Sequence, residues 1–408
     1  MLRRSYDAVV LGGGVIGCST AFALANKGAK VALLERGTQI AGGTSSRSSG
    51  CIRTHYSVRP NAVIANHALD FWEHFQQHLG GEADAGFVQA GLLHVAADNA
   101  LGDSMRQTLA MMDDAGIATQ FVTKRRAKEL HPLLNLDDVD IVSWEPRSGY
   151  ADPYLASTSF AVAARARGAE SFLGCEVTGL DIQGGKVSGV TTSSHGSFDA
   201  PIVISCLNVW TGPLLAAWLD ESIPVKAEKH CLVSVRAPGQ AHRHADGRAL
   251  PLVKDLLQEA QPYFRPCNGG AELLVGDNLP AHKFDVADPD AWDEAVDFDH
   301  VAYAAGLAAH RFPCYGEASL TAEWSGMYDV TPDYNPILGR WPSTPGLSVA
   351  AGFSGHGFKI APIIGQMLAD DALGLPPFDE TCDIELYSPS RFETGGSPLQ
   401  GLYEGAAA

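Results

Sequence analysis

The chain has 408 residues, enough for two packed cores. Apolar residues make up 46% and charged residues 19%, a globular composition, and a formal net charge of −18 sets the surface against nucleic acid and anionic lipid. No window approaches the ~18 apolar residues of a membrane span. The start, MLRRSYDAVVLGGG, leaves no room for a signal peptide, and the eight cysteines form no CxxC pair, so a cytoplasmic protein with reduced thiols is expected.

In chain order, Ala8–Leu11 predicts a buried strand, 15–27 a helix stopped by Gly28, and Val31–Leu34 a second strand closed by Glu35. Helices are expected over 61–78 and 103–114. The basic run TKRRAKEL near Lys124 reads as the solvated start of a helix. Short strands fill 176–201, with a hairpin at Gly184 and Gly185; PIVISCLNVW predicts another buried strand, and 225–275 is strand-rich. His230 with Cys231, and His242 with His244, are the nearest things to metal-ligand pairs and read as ordinary polar residues, so no metal is expected. A last strand leads through AAGFSGHGFK into a helix over 358–370, with Pro362 expected in its first turn.

Gly12, Gly14 and Gly17 form GxGxxG between a strand and a helix. The first permits the turn, the second lets a pyrophosphate approach the backbone, and the third lets helix and strand pack closely. The helix N-terminus offers free amides to the phosphates, and Glu35 offers a carboxylate to a ribose. This predicts a dinucleotide site that disfavours a 2′-phosphate, without separating FAD from NAD. In the last turn, Gly352, Gly355 and Gly357 leave backbone amides bare at a helix start, where they would stabilise negative charge on a reduced flavin ring.

Taken together, GGGVIG with Glu35, GGTSSRSSGCIRTHY, YFRPCNGGAELLVG, WSGMYDVTPDYNPILG and AAGFSGHGFK resemble the FAD-dependent amine and amino-acid oxidoreductases of the D-amino-acid oxidase superfamily. The sarcosine oxidase, glycine oxidase and dimethylglycine dehydrogenase groups are the most similar. The resemblance spans nearly the whole chain. It implies an α/β and α+β fold: a Rossmann-like, glutathione-reductase-type FAD-binding domain over 1–85, 150–222 and 326–390. A discontinuous substrate domain on a mixed β-sheet would take 86–149 and 223–325, leaving 391–408 as a tail.

The same resemblance implies that Arg53 and Lys359 hold a substrate carboxylate, and that Tyr263, Arg265 and Tyr328 face the substrate. A charge-assisted bond to such a carboxylate is worth roughly 1.5–3 kcal/mol and fixes the C–H beside nitrogen for hydride transfer. Arg265, as a further cation, would suit a second acidic group. Flavin contacts are expected from Gly12, Gly14, Val15, Ile16, Gly17, Glu35, Arg36, Gly43, Thr44, Ser45, Ser46 and Val177. At the far end they are expected from Gly352, Gly355, His356, Gly357, Phe358 and Lys359, with His356 contributing backbone contacts and packing rather than a base.

The chain departs from the family in three places. Gly326 precedes Met327–Tyr328 where sarcosine oxidase carries a flavin-linking Cys, and Thr44 to Ser46 stand where the dimethylglycine dehydrogenase group has a linking His, so FAD is expected to be non-covalent. Leu274 falls where sarcosine oxidase places a Lys that activates oxygen, which leaves oxygen a poor acceptor. The expected reaction is oxidation of the C–N bond of a small amino acid or N-alkyl amino acid, followed by imine hydrolysis. The acceptor stays open between oxygen and a quinone or protein partner. Two alternatives also stay open: a flavin-bearing subunit of a heteromeric amino-acid or opine dehydrogenase, and an NAD(P)H-dependent flavin hydroxylase. The hydroxylase would need a flavin-contacting GD pair, and Gly276–Asp277 lies in the strand-rich block instead.

Overall fold

The computed structural model describes residues 3–239, 244, 246–279, 284–393, 399 and 401. His242 and most of the expected tail beyond 393 lie outside the described residues. Ala8–Leu11 and Val31–Leu34 are four-residue runs buried on both faces, as strands inside a helix-covered parallel sheet must be. They sit in a six-stranded sheet in the spatial order Ile337–Arg340, Leu347–Ala351, Ile202–Ser205, Ala8–Leu11, Val31–Leu34, Glu170–Phe172. All neighbours are parallel except the first pair. The helix Val15–Asn26 buries eleven of its twelve residues, so it is apolar all round rather than along one stripe. It packs on Pro153–Ala166 and on Gly357–Leu373. The crossing with the latter is close: a Cβ on Gly365 would lie 2.3 Å from Ser19 Oγ, which donates to Ala361 O at 2.7 Å.

The second large sheet has nine strands. Its core runs Lys226–Arg236, Glu272–Gly276, Tyr263–Cys267, Leu252–Asp255, Leu92–Ala96 and Ile141–Glu145, with Ser319–Val330 on the far flank of the first. Leu252–Asp255 runs parallel to Leu92–Ala96 and the other pairs of this core are antiparallel, which makes the sheet mixed. Side chains alternate between faces along a strand. One face, with Leu93, Val95, Val253, Phe264 and Val275, packs on Ala304, Leu307 and Ala308 of the helix Phe298–Arg311. The residues between them, His94, Lys254, Tyr263 and Arg265, therefore face the other way, toward the six-stranded sheet's glycine turns.

Several elements refine the sequence reading. The 61–78 helix is two helices, Arg59–Glu73 and Phe75–Leu79, separated at His74, where φ is −115° and the ring Nδ1 lies 2.9 Å from Asp70 O. The hairpin at Gly184 and Gly185 joins Val177–Gln183 to Lys186–Thr192, with φ of 59° and 76° at the two glycines. The last helix starts at Gly357, one residue earlier than expected, which moves Pro362 past the first turn and into the helix interior. The basic run forms Lys124–Leu130, capped by Thr123, with Arg125 and Arg126 paired to Glu129. Among the described residues no helix is long and apolar enough to cross a membrane.

Candidate active site

A cavity of about 830 Å³ runs between the glycine turns and the nine-stranded sheet. Gly12, Gly14, Val15, Ile16, Glu35, Arg36, Gly43, Thr44, Ser45 and Val177 line it, with Gly355, Gly357 and Phe358 further along and Tyr263 and Tyr328 at the same wall. Gly12 has φ +100°, and a Cβ there would sit 2.5 Å from Cys206 O. Gly17 is off the cavity wall; its Cβ would sit 1.9 Å from Gly12 O, so it serves the close packing of helix on turn. Glu35 accepts from Gly13 N and Gly37 N at 2.6 Å each, so its carboxylate is held by the loop at the cavity edge. Ser45 Oγ accepts from Val15 N at 2.9 Å, at the first turn of the helix. A glycine cradle, a helix N-terminus and an acid at the end of the second strand fit a dinucleotide such as FAD.

Ser46 lies outside this wall, exposed, with its hydroxyl donating to Gly43 O. Gly352 is also behind the wall: its N donates to Asp329 Oδ2 at 2.6 Å, and its φ of +72° sets Thr331 2.2 Å from a would-be Cβ. Burial lifts the Asp329 carboxyl to about 7, against the pull of the Gly352 and Phe353 amides it accepts from. Arg36 stacks on Trp210 at 4.4 Å and pairs with Asp290 at 2.6 Å. Trp210 Nε1 donates to the same Asp290 oxygen at 2.8 Å. Arg47 continues this edge, pairing with Glu294 at 2.8 Å and donating to Ser325 O. Asp290, Trp292 and Glu294 thus form a strap along the cavity. Sequence reasoning missed the strap, since DPDAWDE reads as a solvated acidic run.

Tyr328 stacks on His230, centroids 3.8 Å apart, and packs against Gly355, where a Cβ would lie 2.4 Å from its ring. Tyr263 packs on Gly276 in the same way, and the two tyrosines are hydrogen-bonded. Burial raises both phenols, Tyr263 most, with Tyr328 and Cys51 adding to it, so both stay neutral donors. The three expected cations, Arg53, Arg265 and Lys359, are not among the residues that line the cavity. Lys359 is buried, its Nζ 6.0 Å from the Tyr56 ring centroid, and Arg53 covers the same ring at 4.6 Å. Burial, then Arg53, then Lys254, hold the Lys359 ammonium well below its usual range, Cys51 opposing. Arg265 lies over Tyr150 at 4.9 Å, with Nε buried and without a hydrogen-bond partner. Arg53, Arg265 and Lys359 form no ion pair among the described residues. His356 is buried edge-on to Tyr56 at 5.1 Å, away from the cavity wall.

One cluster escaped the sequence altogether. Glu145 Oε2 accepts from Thr54 N, Thr54 Oγ1 and Ser148 Oγ at 3.0, 3.0 and 2.7 Å. Its Oε1 lies 3.6 Å from Nδ1 of both His55 and His94. The two imidazoles stack at 4.1 Å with planes 30° apart, which directs their lone pairs side by side rather than at one point. With Arg53 and Lys254 lowering both histidines beyond the effect of burial, this is a poor cation site and a good clamp on the backbone beside Arg53.

The comparisons with known proteins agree with this geometry. Human mitochondrial sarcosine dehydrogenase is 27% identical over 394 residues, which cover 90% of this chain and 40% of that protein. The chain thus spans well under half the length of that relative. Sarcosine oxidase subunit beta from an Arthrobacter species is 29% identical over 415 residues, covering 96% of this chain and 92% of that one. The crystal structure of L-proline dehydrogenase from P. horikoshii superposes with a TM-score of 0.85 at 28% identity, covering 97% and 99% of the two chains. The family model described as FAD dependent oxidoreductase matches residues 7–371, so the chain belongs to the FAD-dependent oxidoreductases, and FAD is its cofactor.

Proposed function

We propose that this chain oxidises the C–N bond of a small amino acid or N-alkyl amino acid. The observation that carries the reading is the pair Arg53 and Lys359, cations that share the Tyr56 ring and form no ion pair among the described residues. When bound, FAD supplies the two-electron acceptor for the hydride leaving the carbon beside nitrogen. The chain's residues do the rest by position. Arg53 and Lys359 take the substrate carboxylate, Tyr263 and Tyr328 bound the space beside it, and Glu145 fixes Thr54 and so the segment that carries Arg53. The nitrogen lone pair forms the C=N bond as the hydride leaves, and water then splits the imine. Sarcosine dehydrogenase and L-proline dehydrogenase are named for secondary amino acids, which supports a substrate of that class. We read residues 1–85, 150–222 and 326–390 as the FAD-binding domain and 86–149 with 223–325 as the substrate domain.

FAD is proposed to be held non-covalently, since Gly326 and the run Thr44, Ser45 and Ser46 stand where linking side chains would be. Leu274, fully buried opposite Arg265, offers no charge to a developing superoxide, so a partner or quinone is the proposed acceptor. Likeness to a sarcosine oxidase subunit beta favours a second reading, in which the chain works within a heteromeric enzyme. Anaerobic bleaching of the flavin's visible band by a panel of primary, N-methyl and cyclic amino acids tests the main reading. Bleaching by one class supports it, and a flavin-loaded protein that no amino acid bleaches refutes it for the isolated chain. Slow reoxidation in air after bleaching supports the non-oxygen acceptor.

A further inference from the structure

An amino acid reaches such a site at neutral pH as an ammonium, and its nitrogen has no lone pair for a C=N bond until one proton leaves. Alternate residues of a strand share a face, so Lys226, Glu228 and His230 form a line along Lys226–Arg236. Lys226 is exposed at one end of the line, and His230 lines the cavity at the other. Lys226 Nζ lies 2.7 Å from Glu228 Oε1, and Glu228 Oε2 lies 3.5 Å from His230 Nε2. The imidazole stacks on Tyr328, itself on the cavity wall, with planes 19° apart. Opposite His230 in register is Gly326, so the neighbouring strand adds no side chain of its own there. The His230 contact, then Lys226, draw the Glu228 carboxyl down to about 2 against the effect of burial, so it stays ionised. A carboxylate at Nε2 selects the tautomer in which Nδ1 accepts a proton, and it steadies the imidazolium once formed. The other titratable or charged groups around the ring are Tyr328 and Tyr263, Arg47 packed on Gly326, and Asp277, which acts on Tyr328. The two phenols stay protonated. Of the wall carboxylates, Glu35 and Asp329 are held by backbone amides, and Asp290 and Glu294 by arginines.

We propose that His230 takes the proton of the substrate ammonium and that Glu228 is the positioning residue that holds the resulting imidazolium. The N–H bond breaks, the proton passes to Nδ1 of His230, and the electron pair stays on nitrogen for the C=N bond. This rests on the reading of the cavity as an amino-acid site. Glu228 works as a fixed counter-charge and orients the ring, while the imidazole is the group that titrates.

The first test is anaerobic reduction of the FAD-loaded protein by N-methylglycine and by L-proline, followed between pH 6 and pH 10. His230→Asn should slow reduction at least tenfold at pH 7. The gap should narrow to less than threefold at pH 10, where the free amine arrives already deprotonated. His230→Gln, which fills more of the space, should behave alike. A loss of the same size at every pH would make His230 a packing residue and overturn the proposal, leaving the amino-acid reading intact. No loss at any pH overturns it too, and passes the proton to another wall group such as Asp277. A wild type that neither amino acid reduces overturns both readings. The second test needs no turnover: the His230 imidazole is titrated by NMR in FAD-loaded protein carrying ¹⁵N-histidine, its signal assigned by its loss in His230→Asn. Glu228→Gln should move the midpoint of that titration down by at least half a pH unit, and Glu228→Asp, which keeps the charge, should move it less. A midpoint that Glu228→Gln leaves in place overturns the role given to Glu228.

Discussion

Lys359→Met is the most informative single change, because the structure gives it two effects of opposite sign. The wild-type ammonium is buried with no carboxylate partner, and burial together with Arg53 and Lys254 depresses its pKa. A lysine whose folded pKa lies below its unfolded value binds fewer protons when folded, so wild-type stability grows as pH rises toward the unfolded value of roughly 10.4 and is diminished below it. Methionine keeps the length of the side chain and removes the charge. The variant's unfolding midpoint at pH 7 should equal or exceed that of wild type, and its dependence on pH should be flatter. Binding should move the other way. Loss of one charge-assisted bond costs about 1.5–3 kcal/mol, or roughly 10- to 150-fold in affinity for a carboxylate ligand. A bound carboxylate opposes the effect of burial and raises the Lys359 pKa, so carboxylate affinity should fall as pH rises. Calorimetric unfolding and acetate titrations in two buffers of different ionisation enthalpy read all of this. A variant that is less stable and binds acetate normally would mean that Lys359 is a packing residue and the proposed anchor is wrong.

Other predictions follow from single groups. Asp329 has a folded pKa near 7 against an unfolded value near 4, so its favourable contribution is present below pH 4 and lost as pH rises through 7. The loss is about 4 kcal/mol, and Asp329→Asn should flatten the fall of the unfolding midpoint between pH 4 and 7, which differential scanning fluorimetry reads. Arg311 is fully buried against Asp255 at 2.7 Å and Asp138 at 2.9 Å. Arg311→Met should cost about 3–5 kcal/mol in urea unfolding, and adding Asp255→Asn should recover part of it, because the orphaned charge is then gone. Glu145→Gln weakens the grip on Thr54 and should raise the KM for an amino acid more than it lowers kcat; a change in kcat alone would count against its positioning role. Asp290→Ala should speed flavin release a few-fold, consistent with ion pairs worth roughly 0.2–1 kcal/mol, as followed by the fluorescence of freed flavin.

What the sequence disclosed depended on how local the signal was. The strand, glycine turn, helix, strand and acid between Ala8 and Glu35 lie next to one another in the chain, and all form where they were expected. The last glycine turn was legible for the same reason. The cation cluster was only partly legible. Arg53, Arg265 and Lys359 came from a resemblance, while Lys254 gave no sign, because only strand register brings it beside His94 and Tyr263. Glu145, His55 and His94 meet through tertiary packing and share no spacing a linear reading can detect. The break at His74, where the ring Nδ1 lies against Asp70 O, and the start at Gly357 are differences of one or two backbone bonds that the apolar pattern does not encode.

The strap of Asp290 and Glu294 bears on how the holoprotein comes into being. These residues belong to the segment between two strands of the nine-stranded sheet, yet they fasten to Arg36, Trp210 and Arg47 on the nucleotide side. A dinucleotide lying beneath it would be enclosed by contacts from both halves of the molecule, so loading would precede the final fastening of the halves. Retention then becomes a matter of opening rate more than of affinity. Because the fastenings are solvent-facing ion pairs, ionic strength sets that rate: high salt should hasten both the loss of flavin and its reloading, while leaving the buried Tyr263 and Tyr328 contacts untouched.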